Sequence, residues 1–382
     1  MSRIAFMPSR VLTPAGFESD RCVVVGEGRI AGVLPASECP PDVPARKLAG
    51  DLLPGFIDLQ VNGGAGVLFN DRPAMEGIAA IAAAHRRFGT TGFLPTIISD
   101  DLEVVAAAIG AVDTAIARGM PGVLGIHIEG PFLNPAKKGI HDASKFRILD
   151  EEAIALLSSL RHGRTVVTLA PELAPAGAIR ALVDRGVIVC AGHTAASYQE
   201  IQVGIAEGLS GFTHLFNAMS PLGSREPGAV GAALDGCGTW CGLIVDGHHV
   251  HPASLRIALA AIGAERLALV TDAMPTVGWD RNEFQLGGVK IAACDGYCMA
   301  PDGTLAGSNV NMAQAVRNAC RMMRVDDATA IRMATAVPAS AIGLSDEVGS
   351  IAPGLRADFV LVGPDMDVIE SWIRGEPTRP GR

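Results

Sequence analysis

Four side chains scattered through the sequence have the types needed for metal-assisted hydrolysis: Glu129, His193, His214 and Asp272. One carboxylate and two imidazoles make a ligand set suited to a borderline cation such as Zn²⁺. They leave a coordination position for water, which points to a catalytic rather than a structural ion. Asp272 is then available to take a proton from water as general base and return it to a leaving group as general acid. Glu129 lies in "GIHIEGPF" (125–132), where His127 stands two residues earlier and falls on the same side of an extended strand. His127 is therefore either a partner of the metal ligands or a packed polar residue.

Such residues act together only if the fold gathers them. Eight apolar runs rich in β-branched residues read as strands: 54–61, 92–98, 122–129, 165–171, 186–193, 211–217, 241–247 and 267–273. Between them, stretches such as 74–89, 101–119 and 197–208 carry apolar residues at helical spacing. Eight strand–helix units predict an α/β chain folded as a (β/α)₈ TIM-like barrel over 53–347, with a doubly wound open sheet as the alternative. Polar residues collect at the C-terminal ends of these strands: Gln60 and Asn62, Glu129, His193, His214 and Asn217, Asp246 with His248 and His249, then Asp272. That end is where barrel active sites sit. Any one of these residues could be a hydrogen-bonded loop residue; their recurrence at one register argues for a site.

Residues 1–52 and 348–382 read as short β runs separated by turns, and the two ends are expected to pair into one small β-sandwich domain. The chain has 382 residues, a 49% hydrophobic fraction and 31 basic against 40 acidic residues, with no basic stripe. Those features predict no nucleic-acid partner, and the lack of a long apolar run or signal-like N-terminus predicts a cytoplasmic protein without a membrane association. Eight cysteines (Cys22, Cys39, Cys190, Cys237, Cys241, Cys294, Cys298 and Cys320) form no C-x-x-C pair and read as reduced packing residues. The glycine-rich 63–66 lacks the lysine of a nucleotide-binding loop and reads as a flexible connection.

The motifs "LPGFIDLQVNG" (53–63), "GIHIEGPFLNPAKKGIH" (125–141), "AGHTAAS" (191–197), "THLFNAMSPLGSREPG" (213–228), "DGHHV" (246–250), "LVTDAM" (269–274) and "DGTLAGS" (302–308) are similar to those of the amidohydrolase superfamily. Within it they resemble the N-acetylglucosamine-6-phosphate deacetylase family, nearly end to end. The resemblance implies one divalent metal ion per subunit on Glu129, His193 and His214, with Zn²⁺ as the first choice and Fe²⁺, Co²⁺ or Mn²⁺ as alternatives. It implies that Asp272 is the catalytic acid/base and that His141 lies close to the acetyl carbonyl. Asn217 and Ala218 are expected at the sugar phosphate, and Arg225 is expected to reach the phosphate of a neighbouring subunit in a homodimer. Gln60, Ile140, Asp246, Gly247, His248, His249, Leu305, Ala306 and Gly307 complete the substrate-contacting set. Many superfamily members carry an H-x-H pair on strand 1 and a lysine on strand 4. This chain has Gln60-Val61-Asn62 and a strand 4 without lysine, so one metal is expected rather than two.

The implied reaction is hydrolysis of the acetamide of a phosphorylated amino sugar, N-acetyl-D-glucosamine 6-phosphate. "NPAKKG" before His141 reads as a mobile flap. Three alternatives stay open: another N-acyl sugar or cyclic amide as substrate, a catalytically silent sugar-phosphate binder, and a solvated surface role for Arg225.

Overall fold

The structure, a computed structural model, describes residues 3–236 and 238–378, so Cys237 lies outside the described residues. The apolar runs form a single parallel sheet of eight strands, each beside its sequence neighbour. These are β1 (Phe56–Val61), β2 (Thr90–Ile98), β3 (Gly125–Glu129), β4 (Arg164–Leu169), β5 (Ile188–Ala191), β6 (Gly211–Phe212), β7 (Trp240–Ile244) and β8 (Leu267–Val270). The first and last strands meet through a bridge between Val61 and Ala273 and a bond from the Asp272 N–H to the Gln60 carbonyl at 3.0 Å. The barrel is therefore nearly closed, and the closure runs through the residues expected to do chemistry.

Why these runs become strands follows from their two-sided burial. All six residues of β1 and all nine of β2 are buried, as expected where helices cover one face and interior side chains fill the other. The helices Met75–Arg86, Leu102–Ala117 and Tyr198–Glu207 fall inside the stretches read from periodicity. The last begins at a capping box: Ser197 accepts from the Glu200 N–H while the Glu200 carboxylate accepts from the Ser197 N–H. That box starts the helix four residues after His193 and fixes where the loop between them must end.

Both chain ends share one eight-stranded sheet. Ala45–Pro54 pairs antiparallel with Phe359–Val362 and parallel with Ile4–Thr13, around a core that includes Phe6, Phe359 and Trp372. Gly55 separates this sheet from β1; a side chain there would collide with Thr91. One element has no counterpart among the expected strands. After β8, the strands Glu283–Leu286, Val289–Cys294, Tyr297–Met299 and Leu305–Ser308 form an antiparallel sheet whose last strand returns to the barrel rim. It has its own small core of Phe284, Ile291, Cys298 and Ala306. Gly63–Gly64 pairs with Val67–Leu68 in a two-stranded hairpin, where the sequence suggested a flexible connection.

Candidate active site

Strands β5, β6 and β8 end earlier than their apolar runs, so His193, His214 and Asp272 stand just beyond them in left-handed backbone, at φ 50°, 34° and 51°. For residues with a Cβ this conformation costs on the order of 1–2 kcal/mol each and persists only where neighbours impose it. For Asp272 the restraints are visible: its N–H donates to Gln60 at 3.0 Å and its carbonyl accepts from the Ser308 N–H at 2.9 Å. Thr271, immediately before it, donates its hydroxyl to buried Asp58 at 2.5 Å.

The three expected ligands converge. His193 Nε2 lies 3.1 Å and His214 Nε2 2.9 Å from Glu129 Oε1, and the two nitrogens are 3.1 Å apart. The Lys137 carbonyl can only accept, so His193 Nδ1 carries the ring hydrogen that bonds it at 2.8 Å. His193 Nε2 is then a lone pair facing a carboxylate oxygen, an arrangement that wants a cation between them. Three ligands at ~2.0–2.1 Å from a tetrahedral Zn²⁺ stand about 3.3 Å apart. The observed spacings are within a few tenths of that, so the residues fit the ion. Burial opposes ionisation of Glu129, but the imidazoles of His193 and His214 set against it override that and hold the carboxyl well below the usual carboxylate range.

These side chains open into a cavity of about 380 Å³ that is also lined by His141, Asp272, Ile140, Asn217, Ala218, His249 and Leu305–Gly307. His141 is buried and accepts at Nδ1 from the Ser99 N–H, 3.3 Å away, with the Ser99 hydroxyl at 2.8 Å. Its hydrogen is therefore on Nε2, 4.0 Å from Glu129 Oε1. Burial above all pushes His141 down to about 3, so it is a neutral donor near pH 7. Gly130 lets this happen: a side chain at its φ of 91° would occupy the place of the Ser99 hydroxyl. Asp272 is pushed up to about 6 by burial and then by the charge of Glu129.

The remaining expected residues separate. Asp246 lies behind the lining, holding His249 Nδ1 at 2.5 Å and the N–H groups of His248 and His249 at 2.8 and 2.9 Å. Gly247 and His248 do not line the cavity; the His248 ring instead packs on Tyr297 of the inserted sheet, with centroids 4.2 Å apart. Arg225 is exposed on the loop after β6 and is absent from the lining of the cavity. Gln60 lies beneath the cavity, its amide bonded to Glu129 and Asp272.

His127 turns out to be a packed polar residue. Its Nδ1 donates to the Leu59 carbonyl at 3.1 Å, and its Nε2 meets the Thr168 hydroxyl at 2.7 Å, which in turn meets Thr213 at 2.6 Å. Burial pushes its pKa down to about 4. This neutral chain ties β3 to β4 and to the residue before His214.

Two further residues belong to the site although the sequence assigned neither a role. Asn62, named from the sequence only as a polar strand end and standing just beyond β1, lines the cavity and donates to Asp272 Oδ1 at 2.6 Å. Glu172 accepts from Asn134 Nδ2, the Ala195 N–H and the Thr194 hydroxyl at 2.9, 2.7 and 2.5 Å. It thereby fastens the His193 loop to the segment expected to be a mobile flap. That segment is further held by the Asn134 N–H on the His193 carbonyl at 2.9 Å. In the sequence Glu172 only ends the family-like motif "TLAPE" (168–172), and its role stays hidden there because its partners come from two other loops.

Comparison with known proteins gives the same reading. Residues 52–378 match the model of the amidohydrolase family. An N-acetylgalactosamine-6-phosphate deacetylase of Shewanella sp. (strain ANA-3) is 43% identical over 96% of this chain and 94% of its own. An N-acetylglucosamine-6-phosphate deacetylase of Haemophilus influenzae is 34% identical over 94% of each chain. The crystal structure of N-acetylglucosamine-6-phosphate deacetylase from Pasteurella multocida superimposes with a TM-score of 0.95 at 33% identity, covering 98% of this chain and 99% of that one. With barrel, ligand cluster and cavity all in agreement with that match, the chain belongs to the amidohydrolase family, among the deacetylases of phosphorylated N-acetyl amino sugars.

Proposed function

We propose that the protein hydrolyses the acetamide of an N-acetylhexosamine 6-phosphate, N-acetyl-D-glucosamine 6-phosphate in the first reading, to acetate and the free amino sugar 6-phosphate. The observation that carries this is the convergence of Glu129, His193, His214 and Asp272 on one cavity. A divalent cation held by the first three, Zn²⁺ by preference of its N and O donors, supplies Lewis acidity that brings the pKa of water from about 15.7 towards about 7 and polarises the scissile carbonyl.

The chain's own groups complete the chemistry. Asp272 takes the proton of the attacking water at Oδ2, the oxygen that no donor reaches among the described residues. It then delivers that proton to the amide nitrogen, so that the C–N bond breaks to a neutral amine. His141 donates Nε2–H to the carbonyl oxygen as negative charge develops there. Asn217 and Ala218 face the sugar phosphate. Arg225, exposed beside Leu222, which is 58% exposed, reaches the phosphate in the partner's cavity of a homodimer. A guanidinium suits that task because its planar fork can bind phosphate oxygens in pairs. The small domain is drawn from both chain ends, including the strands through Pro54 and from Phe359, and the barrel lies between them. The protein acts in the cytoplasm; among the described residues no helix is long and apolar enough to cross a membrane.

A second reading, the C4 epimer N-acetyl-D-galactosamine 6-phosphate, is favoured by the 43% identity to a deacetylase named for that sugar, against 34% to one named for the gluco form. Acetate release from both epimers, before and after chelation and with zinc restored, tests the proposal. Zinc-dependent release from either sugar supports it, the faster one fixes the substrate, and no release from either ends it.

A further inference from the structure

We propose that Gln60 is a positioning residue whose single amide group orients both carboxylates of the site, fixing which oxygen of Glu129 meets the metal and which oxygen of Asp272 handles the proton. This rests on the deacetylase reading above. Gln60 is 2% exposed, and its Nε2 donates to Glu129 Oε2 at 2.9 Å and to Asp272 Oδ1 at 3.2 Å. Both neighbours are acceptors, so the amide must present its NH₂ side, and each of its two hydrogens has a partner.

Each bond has a consequence for the atom left over. With Oε2 engaged, Glu129 turns Oε1 towards His193 and His214, the only oxygen that meets those rings. With Oδ1 taken by Gln60 and by Asn62 at 2.6 Å, Asp272, which lines the cavity, keeps Oδ2 without a hydrogen-bond donor among the described residues. Two buried carboxylates repel each other, and bonds from neutral donors to charged oxygens offset that without a second cation. The base of that side chain is itself anchored, because the backbone N–H of Gln60 donates to Asp58 Oδ1 at 3.2 Å and its backbone carbonyl accepts from the Asp272 N–H. Asp58, which also holds Thr271, thus fixes the start of the Gln60 side chain and the residue before Asp272 from one buried point.

Gln60→Met fills a similar volume without a donor. Gln60→Asn keeps the amide but falls about 1.5 Å short of spanning both partners. Zinc affinity, read by competition with a chromogenic chelator, is expected to weaken about 10- to 100-fold in each variant, the usual effect of losing a group that orients a ligand. In the zinc-saturated enzyme kcat should fall at least about tenfold, while KM stays within about threefold. Wild-type zinc affinity together with wild-type kcat in either folded variant overturns the proposal. So does a rise in KM alone, which would make Gln60 a substrate contact. The zinc titration needs no substrate, so if neither sugar releases acetate the deacetylase reading fails while the effect on metal binding is still measured. Circular dichroism of the metal-free variants identifies which of the two is folded, and the zinc affinity and kcat of that one decide between the outcomes.

Discussion

Replacing Asp272 by asparagine separates proton transfer from shape. The asparagine oxygen can still accept from Gln60 and Asn62, but an NH₂ group replaces Oδ2 and cannot take a proton. Turnover of the zinc-loaded enzyme should fall about 10²- to 10⁴-fold, with zinc content and KM preserved. In the metal-free protein the same change should stabilise the fold. Burial, and next the charge of Glu129, raise Asp272 to about 6 from 3.8, while His214, His249 and the Asn62 amide pull the other way. Keeping that carboxylate ionised inside the fold therefore costs at most about 3 kcal/mol above pH 6. Because the folded-state pKa is raised, the native protein holds the proton between pH 3.8 and about 6. It loses stability as pH climbs through that window and is level above it. Urea unfolding of chelator-treated protein should show the variant more stable by up to about 3 kcal/mol at pH 7.5. The advantage should shrink steadily towards pH 4. A variant that is no more stable than the parent at pH 7.5, a difference that ignores pH, or turnover within tenfold of the parent would refute the reasoning.

Other outcomes follow from the same geometry. His141→Gln should lower kcat about 10²- to 10³-fold if Nε2–H stabilises the oxyanion, and unchanged turnover in a steady-state assay removes that role. Arg225→Ala should raise KM for 6-phosphorylated substrates by about 10- to 100-fold, the worth of a charge-assisted bond. It should barely touch unphosphorylated analogues, and equal effects on both would assign the arginine to the surface. Away from the site, burial opposes ionisation of Asp113, but bonds from Arg161 and His162 draw it down to about 2. Its contribution is present above pH 3.8 and lost as pH falls through 2. Asp113→Asn should therefore be less stable than the parent in urea at pH 7, with the gap narrowing at pH 3; a constant gap would contradict the assignment.

The barrel was legible because each of its strands had to be buried on both faces, which leaves an uninterrupted apolar run whatever the neighbours are. The same logic exposed the site: a carboxylate or imidazole ending such a run is conspicuous, and Glu129, His193, His214 and Asp272 each stand out that way. The inserted sheet at 283–308 escaped because it is only half buried, with polar and glycine residues breaking its pattern. His127 could not be assigned from spacing, since alternation puts it on the side of Glu129 but cannot say that Thr168 and the Leu59 carbonyl already satisfy both ring nitrogens. Residue types and order thus supplied the candidate ligand set and the candidate proton carrier by themselves. Which oxygen of each carboxylate is free, which tautomer His141 and His193 adopt and which loop Glu172 fastens were decided by tertiary structure alone, because each depends on a hydrogen-bond partner from a distant strand or loop.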